Sequence, residues 1–284
     1  MLTNATSDPT FYQKISNSEL YSLNRCKKLH DYSYRQGLVP TSTPNYLTKG
    51  SFFHSLIAAY LVGADTDLDS LSKTIQKEAM LSKESTVDEP TRTSTVSQLT
   101  GFFKEMGVPS RDSIVAVEEE FYADIGLVNS EGEPVLLHGF VDAVIRDDAG
   151  NLWLVEHKTA ARAWSAQQFQ FAIQDVLYCA AWEALTGKRP VGIQYNFFYP
   201  KRWEVRTKYI EEAQYASVIA DVQASIDLRD NMTSFPRESL WGCSGCQFRD
   251  LCYTELTGGD GSYLRQTQFT VDQEKANRFL EVEA

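Results

Sequence analysis

What the sequence lacks narrows its function before any motif is read. No apolar run approaches the roughly 18 residues that a membrane-spanning helix requires. The opening stretch MLTNATSDPT carries neither the basic nor the apolar block of a secretory signal. A cytoplasmic protein without a membrane partner is therefore expected. Positive charge is short: 27 lysines and arginines against 38 aspartates and glutamates leave a net charge of −11. That balance excludes a protein that coats nucleic acid over its whole surface, so any such contact has to be local. The basic pairs Lys27-Lys28, Lys188-Arg189 and Lys201-Arg202 read first as solvated faces. Repeats, low-complexity tracts and flexible linkers are also missing, and residues 1–284 are expected to form a single domain. The five cysteines are an odd number, which argues against a disulfide framework. Three of them, Cys243, Cys246 and Cys252, nevertheless crowd together, a pattern that asks for a metal.

Apolar residues are plentiful, at 43% of the chain, and they recur with two different periods. Residues 17–36 read as a helix with a stripe of Leu20, Leu23, Cys26 and Leu29. After a loop from Pro40 to Pro44, GSFFHSLIAAYLVGA sets Phe53, Leu56, Ile57 and Tyr60 on one helical face with Ser51 as its cap. Residues 50–112 are expected to be largely helical. Beyond Ser113 the period becomes that of strands. SIVAVEEEFYADIGLV, PVLLHGFVDAVIRD and NLWLVEHKT are separated by turn signals at Asn129 to Pro134 and Asp147 to Asn151. A helix over 165–185, ended by Gly187 and Pro190, precedes a further strand, VGIQYNFFYP, so that 113–210 reads as a sheet with a helix. Another helix near 210–230 leads to the cysteine-bearing segment 240–256.

The turn DDAGN carries more information than its place between two strands. A hairpin folded symmetrically about Ala149 sets Asp142 directly opposite Glu156. Their Cβ atoms would lie about 5 Å apart on one face. Lys158, two residues on, joins that face, while Val141, Ala143, Ile145, Trp153 and Val155 take the other. Two carboxylates so close repel unless a cation lies between them, and hard oxygen ligands suit Mg²⁺ or Mn²⁺. A metal that polarises a phosphate oxygen and a lysine that steadies developing negative charge are what phosphodiester hydrolysis requires. Read alone, the same residues also describe an exposed hairpin edge with an ordinary ion pair.

GFVDAV followed by VEHKT resembles the signature of the PD-(D/E)XK nuclease superfamily, with Val141 where the superfamily's name has proline. Gln174 and Tyr178, four apart on one helical face, are similar to the Gln-x-x-x-Tyr motif of its RecB-like branch. GSFFHSL supplies, as His54, the histidine that follows a glycine on an upstream helix in that branch. The resemblance implies an α/β fold with a mixed central sheet flanked by helices, a restriction-endonuclease-like core. It further implies that His54, Asp142, Glu156 and the backbone carbonyl of His157 hold the divalent metal. Lys158 would assist the attack of water on phosphorus, and Gln174 and Tyr178 would position the DNA strand or the active-site groups.

Three clustered thiolates leave a closed metal site one ligand short. Cys179 sits among Leu177, Ala180, Ala181 and Trp182 and reads as a buried structural thiol, so Cys26 is the preferred fourth. Spacing alone leaves zinc and an iron-sulphur cluster both open. A distant cysteine followed by a C-terminal trio resembles the iron-sulphur RecB-like nucleases, which include AddB and the CRISPR-associated exonuclease of the Cas-four type. That implies a [4Fe-4S] cluster joining the N- and C-terminal segments. It also implies a metal-dependent deoxyribonuclease, more an exonuclease than an endonuclease, acting on single-stranded DNA ends in recombination, repair or CRISPR spacer processing, with a recombination or integration partner. The alternatives are a non-catalytic single-stranded DNA-binding module with the same fold and cluster, and a zinc-stabilised scaffold with no DNA role. Arg25, Lys27, Lys28, Tyr32, Tyr34 and Arg35 interleave charge with rings, as either a single-strand groove or the exposed face of an amphipathic helix.

Overall fold

Turn chemistry sets where the strands reverse. Asp147 closes the DDAGN turn by accepting the backbone N–H groups of Ala149 and Asn151 on Oδ1, and its other oxygen accepts from the Trp153 indole. The computed structural model of the chain describes residues 1–42, 45–63, 67–82, 86–200, 202–238 and 243–277. The end of the loop at Pro44, Asp65, Lys201 of the third basic pair, and residues 239–242 ahead of Cys243 lie outside the described residues.

In chain order the elements are β1 (Leu2–Thr3), β2 (Gln13–Ser16), α1 (Asn17–Arg25), α2 (Lys27–His30), β3 (Leu38–Pro40), α3 (Asn45–Val62), α4 (Leu68–Ser82) and α5 (Glu89–Met106). There follow β4 (Ile114–Ala123), β5 (Val135–Arg146), β6 (Leu152–Thr159), α6 (Ala166–Gln170), α7 (Gln174–Thr186), β7 (Gly192–Tyr199) and β8 (Arg202–Tyr209). The chain then runs through α8 (Glu212–Asn231), α9 (Arg249–Leu256), α10 (Ser262–Gln268), β9 (Phe269–Val271) and α11 (Gln273–Asn277). They sort into two compact units, neither of them continuous in sequence.

The first unit comprises Met1–Thr6, Pro44–Ile125 and Leu137–Val218. Its strands run in the order β1-β4-β5-β6-β7-β8. The β1/β4 and β6/β7 pairs are parallel and the others antiparallel, so this is a mixed sheet with helices, the α/β core expected from the sequence. A parallel step needs a crossover, and α6 and α7 supply it between β6 and β7. Phe53, Leu56 and Ile57 of α3 pack with Leu99, Phe102 and Phe103 of α5 on Ala143, Val155 and Phe198 of the sheet. Each such side chain contributes about 1.5–3 kcal/mol on full burial. The Phe53 and Phe198 rings stand 4.5 Å apart, which fixes α3 against the sheet one residue from His54.

Two sequence expectations are corrected here. Ser51 does not cap α3, which begins at Asn45, because NYLTKG holds nothing that breaks a helix beyond one tolerated glycine. The helix expected over 165–185 is two helices. Ser165 opens α6 with a capping box to Gln168, and α6 buries none of its residues, whereas α7 buries Val176, Leu177, Tyr178, Cys179, Ala181 and Trp182. Without an apolar stripe to hold them in line, residues 171–173 turn, and Gln174 becomes the first residue of α7.

The second unit comprises Ser7–Thr43, Gly126–Leu136 and Ile219–Ala284. The single helix expected over 17–36 breaks at Cys26, whose backbone is extended (φ −168°, ψ 121°), and the chain continues as α2 and a wide turn closed by the Gln36 N–H on the Asp31 carbonyl. Strands β3 and β9 pair antiparallel. Leu29, Tyr32, Leu38, Phe248, Leu251 and Phe269 form the core, with Cys26, Cys246 and Cys252 packed against it. Gly37 is obligatory at the start of β3. Its φ is +61°, and a Cβ there would lie 2.4 Å from the Asp272 carbonyl oxygen. The buried Arg229 guanidinium meets Glu19 at 3.5 Å and Asp230 at 2.8 Å and donates to the Lys14 carbonyl.

Candidate metal centre

The hairpin of β5 and β6 has the register that its turn dictates: Ala143 opposite Val155, Val144 opposite Leu154, Ile145 opposite Trp153 and Arg146 opposite Leu152. The ladder ends one pair short of Asp142 and Glu156. β6 continues beside β7, with Glu156 opposite Tyr195, and β5 continues beside β4, with Val141 opposite Glu119. Asp142 therefore stands in a fork between strands instead of across a ladder from Glu156. Its Oδ2 accepts the His157 backbone N–H at 2.6 Å, and its Oδ1 meets His54 Nδ1 at 3.1 Å. The fork is what lets a histidine on α3 reach a carboxylate on β5.

Both carboxylates are buried, Asp142 at 7% exposure and Glu156 at 6%. Lys158 Nζ lies 2.5 Å from Glu156 Oε1 and 3.1 Å from the Gln174 side-chain oxygen. Gln174 thus holds the lysine from the first turn of α7. Burial drives the Glu156 carboxyl above the usual carboxylate range; Lys158 opposes the rise and the charge of Asp142 adds to it. Burial acts on Asp142 in the same sense, but the hydrogen bond and charge of His54 hold that carboxyl below its usual range. For His54, burial works against the proton, and the carboxylates of Asp142 and Glu156 outweigh it, raising the imidazole. The result is two neighbouring carboxyls displaced in opposite directions, the response of close like charges that share too little positive charge.

Tyr178, on α7, is buried and sits tightly over Gly139 of β5, where a Cβ would lie 2.7 Å from the tyrosine oxygen and 2.8 Å from the Phe121 ring. Its hydroxyl is pushed well above its usual range by burial and by the charges of Glu156 and Asp142, while the Phe140 backbone and Gln174 hydrogen-bond to it. Tyr178 packs on β5, and Gln174 contacts Lys158.

The sequence reading missed Glu118. Donor atoms of His54, Glu118 and Asp142 lie within 4.8 Å of one another, a candidate binding triad for a divalent metal. Carboxylate oxygens suit Mg²⁺ or Mn²⁺, and an imidazole nitrogen beside them moves the preference toward Mn²⁺ or another transition metal. A cavity of about 940 Å³ opens beside the triad, lined by Lys49, Ser51, His54, Glu118, Thr159 and Tyr199 among others. The remaining histidines are engaged elsewhere: His30 with Glu19, and His138 with Glu120.

Cys26, Cys243, Cys246 and Cys252 all belong to the second unit, where they line a separate cavity of about 400 Å³ with Arg25, Lys28, Arg237 and Arg249. Arg237 Nε donates to Cys252 Sγ at 3.1 Å. Among the described residues, no three cysteine sulphurs come within 4.8 Å of one another. Cys179 is buried in α7, its thiol pushed up by burial. The basic and aromatic run at 25–35 is largely taken up by packing. Lys27 pairs with Glu238 at 3.1 Å and Lys28 with Asp31 at 2.8 Å, Tyr34 stacks on His30, and the buried Tyr32 donates to Glu255 at 2.5 Å. Of the second basic pair, Arg189 meets Glu183 and Glu212.

Comparison with known proteins adds four findings. The profile of the PD-(D/E)XK nuclease superfamily matches residues 14–253. The crystal structure of a putative exonuclease from Eubacterium rectale is similar, with a TM-score of 0.50 and 13% identity over 84% of this chain and 90% of that one. The crystal structure of SSO0001 matches with a TM-score of 0.41 and 16% identity over 84% and 85% of the two chains. No curated protein sequence matches the chain.

Proposed function

Starting from a chain that belongs to the PD-(D/E)XK nuclease superfamily, we propose that it is a divalent-metal-dependent deoxyribonuclease that removes nucleotides from single-stranded ends. The observation that carries this reading is the fork: Asp142 fixed by His54 and the His157 N–H, beside a buried Glu156 held by Lys158. His54, Asp142, Glu156 and the His157 carbonyl would hold the cation. Mg²⁺ or Mn²⁺ bound there supplies a polarised phosphoryl oxygen and an acidified water. Lys158 then presents its ammonium to the phosphate as negative charge develops, and Gln174 keeps that ammonium in place. The cavity beside the triad is of pocket size, which favours a flexible strand end over a continuous duplex.

The second unit is read as the carrier of a [4Fe-4S] cluster on Cys26, Cys243, Cys246 and Cys252, which would place the chain in the RecB-like iron-sulphur branch. One feature supports this. The arginines and lysine around the cavity suit a group whose thiolate ligands make it anionic. Service in recombination, repair or CRISPR spacer processing belongs to the same reading.

The test is digestion of single-stranded DNA labelled at one end or the other, with Mn²⁺ or Mg²⁺, by the wild type and by Lys158→Ala. Metal-dependent cleavage lowered 10²-fold or more by the substitution is expected, about 3 kcal/mol of transition-state stabilisation. Binding of the strand without cleavage by either protein would turn the reading to a non-catalytic binding module.

A further inference from the structure

We propose that Glu118 is an additional protein ligand of the divalent cation, carried into the site by a left-handed backbone in the middle of β4. The inference rests on the metal-dependent reading of the first unit, and none of the sequence motifs points to this residue.

β4 holds three glutamates in succession, and their environments differ. Glu119 lies 2.8 Å from the N-terminal ammonium. Glu120 accepts the Tyr122 hydroxyl and meets His138 at 3.1 Å. Glu118 has no hydrogen-bond or ion-pair partner among the described residues, and its carboxylate is instead one corner of the triad with His54 and Asp142. The pairing of β4 with β5 explains the position. Val117 stands opposite Ala143 and Glu119 opposite Val141, which leaves Glu118 facing Asp142 across the two strands.

The backbone is unusual at this same residue. Glu118 has φ +48°, and it is the one non-glycine residue with positive φ among those described. An L side chain is disfavoured there, yet β4 keeps its register against β5 from Ala116 to Ala123. Residues held in such conformations persist where the surroundings over-determine them, and they cluster at functional sites. The 4.8 Å span of the triad is also one that a single ion can close, since opposite ligands of an octahedral Mg²⁺ stand about 4.2 Å apart. Glu118 and His54 both face the cavity that contains Lys49 and Thr159, so this ligand lies on the open side of the cation.

The experiment is a Mn²⁺ titration followed by electron paramagnetic resonance on the wild type, Glu118→Gln, Glu118→Gly and Asp142→Asn, with thermal unfolding of each protein free of metal. Glu118→Gln is expected to bind Mn²⁺ at least tenfold more weakly while melting normally without metal. Glu118→Gly should lose the same affinity yet melt at a higher temperature than the wild type, because glycine takes a positive φ without strain. If both Glu118 variants bind Mn²⁺ as the wild type does while Asp142→Asn does not, Glu118 is no ligand and the proposal falls alone. If the wild type itself binds no Mn²⁺, the metal reading falls and takes the proposal with it.

Discussion

Burial drives the His157 imidazole down to about 4, and the charge of Asp142 only partly opposes this. Its Nδ1 meets the Asn196 amide at 3.3 Å, and its buried Nε2 has no partner among the described residues, so the ring is neutral at pH 7. In the unfolded chain the same ring takes up its proton near pH 6.5. Between those two values the unfolded state binds more protons than the folded one, so stability is full above about pH 6.5 and falls as the pH drops toward 4. The contribution amounts to about 3 kcal/mol. Urea unfolding of the metal-free protein across that range should show the slope, and His157→Gln should flatten much of it; an unchanged slope in the variant would assign it elsewhere. At this scale legibility was uneven. The register of β5 against β6 could be read because the short DDAGN turn fixes it, although the ladder ends one pair before Asp142 and Glu156. Glu118 could not. The preceding turn pairs Val128 with Pro134, and continuing that register would bring Glu120 to Asp142; the ladder actually formed is shifted and brings Glu118 there instead. No local signal encodes that slip.

Among the elements, the contact between β5 and α7 decides how tightly the site is built. Gly139 lets Tyr178 and Phe121 close over the strand three residues before Asp142. Gly139→Ala would force a methyl group into both rings, and a destabilisation of about 1–3 kcal/mol is expected, read as a lower denaturant midpoint at unchanged slope. Unaltered stability would mean that α7 can back away freely. Strand positions were readable because alternation and turn residues agree over β5 and β6. Helix boundaries were less so. Apolar period alone joined α6 to α7 and carried α1 through Cys26, and in both places what breaks the helix is the absence or presence of tertiary burial.

For the whole molecule, the division into two discontinuous units matters more than any one contact. The cysteines nearest the two ends of the sequence belong to one unit, while the carboxylates and Lys158 belong to the other. On the proposed reading of a cluster held by these cysteines, Cys26→Ala is expected to lose iron and visible absorbance together with solubility, as the second unit would lose a crosslink across a long loop. Full iron content with normal folding in that variant would remove Cys26 from the ligand set. That Cys26, Cys246 and Cys252 pack on one core with Phe248 and Leu251 was not legible in the sequence, because nothing in the intervening residues records it.

The break of α1 at Cys26 also has a meaning in time. A ribosome adding roughly 5–20 residues per second releases Cys26 on the order of 10 to 45 s before Cys252. During that interval all of the first unit beyond Thr6 emerges, and Leu29 and Tyr32 have neither Phe248 nor Leu251 to cover them. The N-terminal segment must wait, apolar and thiol-bearing, for the last part of its own unit.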